Sequence, residues 1–104
     1  MPAKELSNFQ ARAMWLRTLM DIMFRGAEGV KYRVKLAGWE RDDCLGAEVH
    51  CRGWYKHFRV PVSMIDAEDF RGVIEFFAKQ TDGAILMTEP SIQMIEREGL
   101  GLVH

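Results

Sequence analysis

The sequence predicts an α+β domain: an N-terminal helix, a three-stranded antiparallel meander, a second helix, a short strand or connector and a short C-terminal helix, with the helices on one face of the sheet. Three observations predict it. Residues 30–62 hold three consecutive segments whose apolar side chains recur at every second position, the period of half-buried strands. The segments before and after carry apolar residues at helical spacing. At 104 residues, 48% hydrophobic and 28% charged, the chain is long enough for one core and too short for two ordinary domains, so 1–104 reads as a single domain.

Residues 4–25 contain neither Pro nor Gly, and Phe9, Ala13, Leu16, Met20 and Met23 fall on one helical face before Gly26 and Gly29 end the run. Trp15, Leu19 and Ile22 form a second apolar line beside the first, which makes the arc wider than one sheet contact needs. Either the later helices cover that line, or Trp15, Leu19 and Ile22 are contacts for a protein partner or a second copy of the chain. Arg17, Asp21 and Arg25 sit four apart and mark the solvated stripe. Seven Met residues, among them Met14, Met20 and Met23, suit an irregular core first and an adaptable binding surface second.

In the first strand Val30, Tyr32, Val34 and Leu36 alternate with Lys31, Arg33 and Lys35; in the second, Leu45, Ala47, Val49 and Cys51 alternate with Glu48, His50 and Arg52. Arg52 and Gly53 make a two-residue turn that sets Cys51 opposite Trp54, Ala47 opposite Phe58 and Leu45 opposite Val60. Register and hydrophobic pattern then agree, with Trp54, Phe58 and Val60 on the buried side. Lys56 interrupts the pattern opposite Val49 and is expected to snorkel out at an edge. Glu40, Arg41, Asp42 and Asp43 read as the turn of the first hairpin, and pairing Leu36 with Ala47 sets Lys35 opposite Glu48 and Arg33 opposite His50.

Beyond Pro61 the period changes. Ser63 or Asp66 can cap a helix whose first turn carries Glu68 and Asp69, with Phe70, Val73, Ile74 and Phe77 as its apolar stripe and an end near Asp82 and Gly83. Gly72 inside it costs about 1 kcal/mol relative to Ala, and such a glycine marks the close approach of another backbone. Residues 84–88 read as a strand or a buried connector. Pro90 suits a first helical turn, Ile92, Ile95 and Leu100 its apolar side, and Gly99 its end.

The order of helix, three strands and helix is similar to that of double-stranded RNA binding domains, a resemblance of order only. That family carries a basic cluster at the start of its second helix, where this chain has Asp66, Glu68 and Asp69, which argues against duplex binding in that mode.

With helices on one side, the other face of the sheet presents Lys31, Arg33, Lys35, Glu48, His50, Arg52, Tyr55, His57 and Arg59. Five of these are Lys or Arg, joined by a protonatable His. Positive charge interleaved with Tyr55, and with Trp39 nearby, is the pattern that holds single-stranded nucleic acid; long charged side chains also simply solvate a sheet face. Cys44, His50, Cys51 and His57 do not converge as a zinc set, because strand parity points Cys51 inward and the two histidines outward. Glu48 beside His57 is the one acid/base pairing, on a flat face with no nucleophile near it.

The net charge of −1 divides unevenly: residues 1–62 hold eleven Lys and Arg against seven Asp and Glu, and residues 63–104 hold three against eight. Attraction between the halves, or a basic surface for an acidic partner, would each use that polarity. Lys4, Glu5 and Asn8 interrupt the apolar run a secretory signal needs, and the stretch 13–24 is too short and too charged to span a bilayer. Cytoplasmic location and reduced cysteines are therefore expected. The functional expectation is a small non-enzymatic binding or regulatory protein acting through protein-protein contacts, with no cofactor and no metal. The alternative is a nucleic-acid-binding module using the basic sheet face.

Overall fold

In the computed structural model, residues 8–35 and 43–100 are described. Leu36, Trp39 and the predicted turn residues Glu40, Arg41 and Asp42 lie outside them, while Asp43, the fourth residue of that turn, is described and holds φ 54°. The chain runs α1 (Asn8–Met23), β1 (Lys31–Val34), β2 (Cys44–Cys51), β3 (Trp54–Pro61), α2 (Val62–Asp66), α3 (Phe70–Gln80) and α4 (Glu89–Glu98). The three strands form one antiparallel sheet in the order β1-β2-β3.

The second hairpin has the predicted register, with Cys51 opposite Trp54, Ala47 opposite Phe58 and Leu45 opposite Val60. Gly53, at φ 89°, supplies the left-handed residue that a type II turn requires at its second corner. The first hairpin differs from expectation: Val34, not Leu36, pairs with Ala47, and Arg33 lies opposite Glu48. A slip of two residues keeps each side chain on its face, so the apolar alternation could not distinguish the two registers.

One face of the sheet is covered. Leu45, Ala47, Val49, Phe58 and Val60 meet Leu16, Leu19 and Met20 of α1 and Val73, Ile74 and Phe77 of α3 in a single core. Phe58 and Phe77 pack edge to face, centroids 4.6 Å apart, an arrangement aromatic rings favour beyond the area they bury. The apolar line on α1 is covered from within the chain: the ring of Phe70, at the start of α3, stacks on Trp15 at 5.3 Å and 15°.

The predicted second helix is two. Glu68, at φ 52°, takes the chain out of α2, and Asp69 then caps α3 by accepting the Gly72 N–H at 2.9 Å. The cap is Asp69, not Ser63 or Asp66. What approaches Gly72 closely is this same carboxylate and no second backbone, since a Cβ there would stand 2.6 Å from Asp69 Cγ. Asp66 instead accepts both ends of the Arg12 guanidinium, at 2.8 and 2.7 Å, which ties α2 to α1 and holds the Asp66 carboxyl below its ordinary range. The pair joins a residue of the basic half of the chain to one of the acidic half.

Residues 84–88 form a connector. Thr88 caps α4, Pro90 sits in its first turn and Gly99, at φ 75°, ends it. Arg71 of α3 reaches Glu89 at 2.6 Å and Glu96 at 3.1 Å on α4, and the Glu89 carboxyl is lowered by that contact. Among the described residues no helix is long and apolar enough to cross a membrane.

Candidate functional site: the open sheet face and the hairpin end

On the uncovered face Lys31, Arg33, His50, Arg52, Tyr55 and Arg59 are exposed, and Lys35 and His57 partly so. Strand parity thus places the predicted basic residues together. Glu48, at the centre of this face, changes what they can do. It is only 5% exposed, covered by a single layer of side chains. Arg33 Nε donates to it at 2.8 Å, Tyr55 Oη at 3.2 Å, and Lys35 Nζ stands at 3.3 Å. A carboxylate so surrounded is favoured in its charged form, and its pKa falls to about 2, chiefly through the Arg33 hydrogen bond against the opposing cost of its burial. The Tyr55 hydroxyl is pushed up, first by desolvation and then by its bond to Glu48.

Glu48 is engaged by Arg33, Lys35 and Tyr55, with His50 Nε2 at 3.8 Å, and His57 is its directly opposed residue in the register. Arg33 and Lys35 are also partly neutralised, so the centre of the face is weaker in positive potential than a count of cations suggests.

At the hairpin end the situation reverses. Trp54, expected in the core, is 37% exposed, and Leu86 of the connector before α4 is 70% exposed. Between them lies a hollow of about 180 Å³, walled by Met23 and Phe24 from the end of α1, Val30, Val49 and Cys51 from the sheet side, and Ile85. A second hollow of about 310 Å³ shares Trp54 and Ala84 and continues past Tyr55, Lys56, Thr81 and Asp82. The hollow opens where the end of α1 at Met23 meets the last pair of the β2–β3 ladder, Cys51 and Trp54. Lys56 borders the second hollow, in keeping with an amine carried outward at the sheet's end.

The other candidate contacts are placed differently. Trp15 and Leu19, expected as partner or dimer contacts, are core residues at 7% and 0% exposure, because the later helices cover them, and Ile22 is partly buried against the same core. These side chains offer little surface to a partner. Cys44 and Cys51 are the first and last residues of β2, so the strand rise separates them by about 23 Å, where a disulfide needs Cα atoms within about 7 Å. Both are free thiols. Sequence reasoning missed Phe24 and Leu86 as surface formers; the apolar run at 84–88 was the one visible signal for Leu86.

His50 and Tyr55 pair across the strands with ring centroids 4.4 Å apart, which leaves an aromatic platform on the open face close to the hairpin. Comparison with protein-family models, with curated proteins and with solved structures finds no match to this chain.

Proposed function

We propose that this chain is a small non-enzymatic cytoplasmic binding protein that takes an apolar side chain of a protein partner into the groove at its hairpin end. One observation carries the reading: Trp54 and Leu86 stand exposed around an apolar hollow that the chain's own helices leave uncovered. Exposed aromatic and aliphatic groups clustered in a concavity are the usual anchors of protein-protein contacts. The hollow of about 180 Å³ is below the range of about 300–1,000 Å³ typical of small-molecule sites and suits a single large side chain.

A second reading, single-stranded nucleic acid on the open sheet face, is favoured by the exposed Tyr55 beside Lys31 and Arg52. The neutralisation of Arg33 and Lys35 by Glu48 weighs against it.

The two readings separate in one experiment. Tagged wild-type protein, a Trp54→Ser, Leu86→Asp variant and an Arg59→Glu variant are used to capture partners from extract with and without nuclease, each variant first checked for native circular dichroism. The protein-binding reading expects partners that survive nuclease and vanish with the groove variant. Capture that is abolished by nuclease or by the Arg variant alone would instead support nucleic acid. Partners indifferent to the groove variant overturn the first reading.

A further inference from the structure

Parity along β3 decides which of its backbone groups the sheet uses. Cys51 and Trp54 flank a turn of two residues, so they exchange both of their main-chain hydrogen bonds, and the pairs Val49–Lys56, Ala47–Phe58 and Leu45–Val60 follow at the same parity. The Gly46 carbonyl agrees: it accepts from the Lys35 N–H beside β1 at 2.8 Å, and so faces away from β3. Tyr55, opposite His50 and between two bonded pairs, therefore turns its own N–H and C=O away from β2, and β3 is the last strand of the sheet on that side. Among the described residues neither group has a partner, and Tyr55 is 52% exposed. Unpaired main-chain groups on an edge strand are a template for another extended chain.

The hollow of about 310 Å³ adjoins this edge. Its walls are three consecutive residues of the strand, Trp54, Tyr55 and Lys56, together with Thr81, Asp82 and Ala84 of the segment between α3 and α4. It holds one cation and one anion, Lys56 and Asp82, and among the described residues neither takes an ion pair. A peptide main chain, with alternating donors and acceptors and no net charge, complements such a trough, whereas a polyanion would meet Asp82.

We infer that an extended segment of a partner protein adds to the sheet as a fourth strand at Tyr55, antiparallel to β3. The inference rests on the protein-binding reading and specifies how the partner's chain is held. One residue of the segment exchanges two main-chain bonds with Tyr55. Side chains alternate along a strand, so the neighbours of that residue project to the face of Trp54 and Lys56, and the one beside Trp54 is the apolar side chain that enters the hairpin-end hollow. In this mode main-chain bonds supply affinity and alternate side chains supply specificity.

Random-peptide display against the intact chain supplies the probes. Peptides that lose binding to Trp54→Ser are resynthesised with an N-methyl group at each backbone nitrogen in turn, which removes one donor and leaves the side chains in place. The expected result is a loss of about tenfold or more at one position, next to a required Leu, Ile, Met or Phe, and little change at the two flanking nitrogens, which point away from β3. Tyr55→Pro removes the outward N–H at a place an edge strand tolerates and should weaken the same peptides about tenfold, whereas Tyr55→Phe should bind them as wild type does. The N-methyl series decides the matter where Tyr55→Pro does not fold. Trp54-dependent peptides indifferent to every N-methyl group overturn strand addition and leave the groove reading standing. Failure to enrich any Trp54-dependent peptide overturns both. Concentration-dependent self-association in sedimentation that a folded Tyr55→Pro variant abolishes assigns the edge to a second copy of the chain and overturns the inference of a partner segment.

Discussion

Replacing Gly72 by Ala should leave stability almost unchanged, although an ordinary helical Gly→Ala change stabilises by about 1 kcal/mol. The reason is the carboxylate at the N-terminus of α3. Asp69 accepts the Gly72 N–H at 2.9 Å, and a Cβ at position 72 would stand 2.6 Å from Asp69 Cγ, far inside van der Waals contact. The carboxylate must swing away and the cap is lost, which costs about 1 kcal/mol. Gain and loss offset each other. Asp69→Ala alone loses the cap and should cost about 1 kcal/mol. With no carboxylate left to displace, adding Gly72→Ala to that variant recovers about 1 kcal/mol, so the double variant returns close to wild type. The coupling of about 1 kcal/mol is the quantity of interest. Urea unfolding followed by circular dichroism measures it, since 1 kcal/mol moves the midpoint by roughly 0.3–1 M at the m-values of small domains. Stabilisation by Gly72→Ala in the wild-type background, or additive effects in the double variant, would refute the reasoning.

Two further substitutions test the electrostatics and the core. Glu48→Gln should destabilise the protein in a pH-dependent way. A folded-state pKa of about 2 lies below the unfolded carboxylate's, so the stabilisation is present in full above about pH 5 and is lost as pH falls toward 2. The gap between wild type and variant in urea midpoints should be widest near neutrality and close toward pH 2, and a gap constant with pH would contradict the assignment. Phe77→Ala removes a fully buried ring packed on Phe58 and should cost about 3–5 kcal/mol, lowering Tm by more than about 10 °C in a thermal scan. A fall of only a few degrees would mean that the core collapses around the site.

The sheet was legible because parity is a strong signal. Leu45, Ala47, Val49, Phe58 and Val60 were assigned inward from alternation alone and are the buried hydrophobic residues of the strands. The same parity explains the error in the first hairpin, where a two-residue slip changes pairing without changing faces. The break between α2 and α3 was hidden for another reason. Asp66, Glu68 and Asp69 are all plausible near a helix start, and only the positive φ of Glu68 and the Asp69 to Gly72 bond show which one caps. Trp54 exposes the limit of periodicity as a guide to burial. Its side is set by the strand, whereas its cover depends on what packs above that end of the sheet, and Trp54 borders two hollows there.

Glu48 lies opposite Arg33 in the register, with Tyr55 diagonal to it on β3, so one carboxylate engages both while Lys35 approaches from the strand end. That cluster stiffens the middle of the open face and lowers its net charge. Lys31 and Arg52 lie beyond its reach, at the end where β1 begins and the β2–β3 hairpin turns. A polyanion tracking the sheet would need a continuous positive stripe, and the Glu48 cluster interrupts it at the middle of the face.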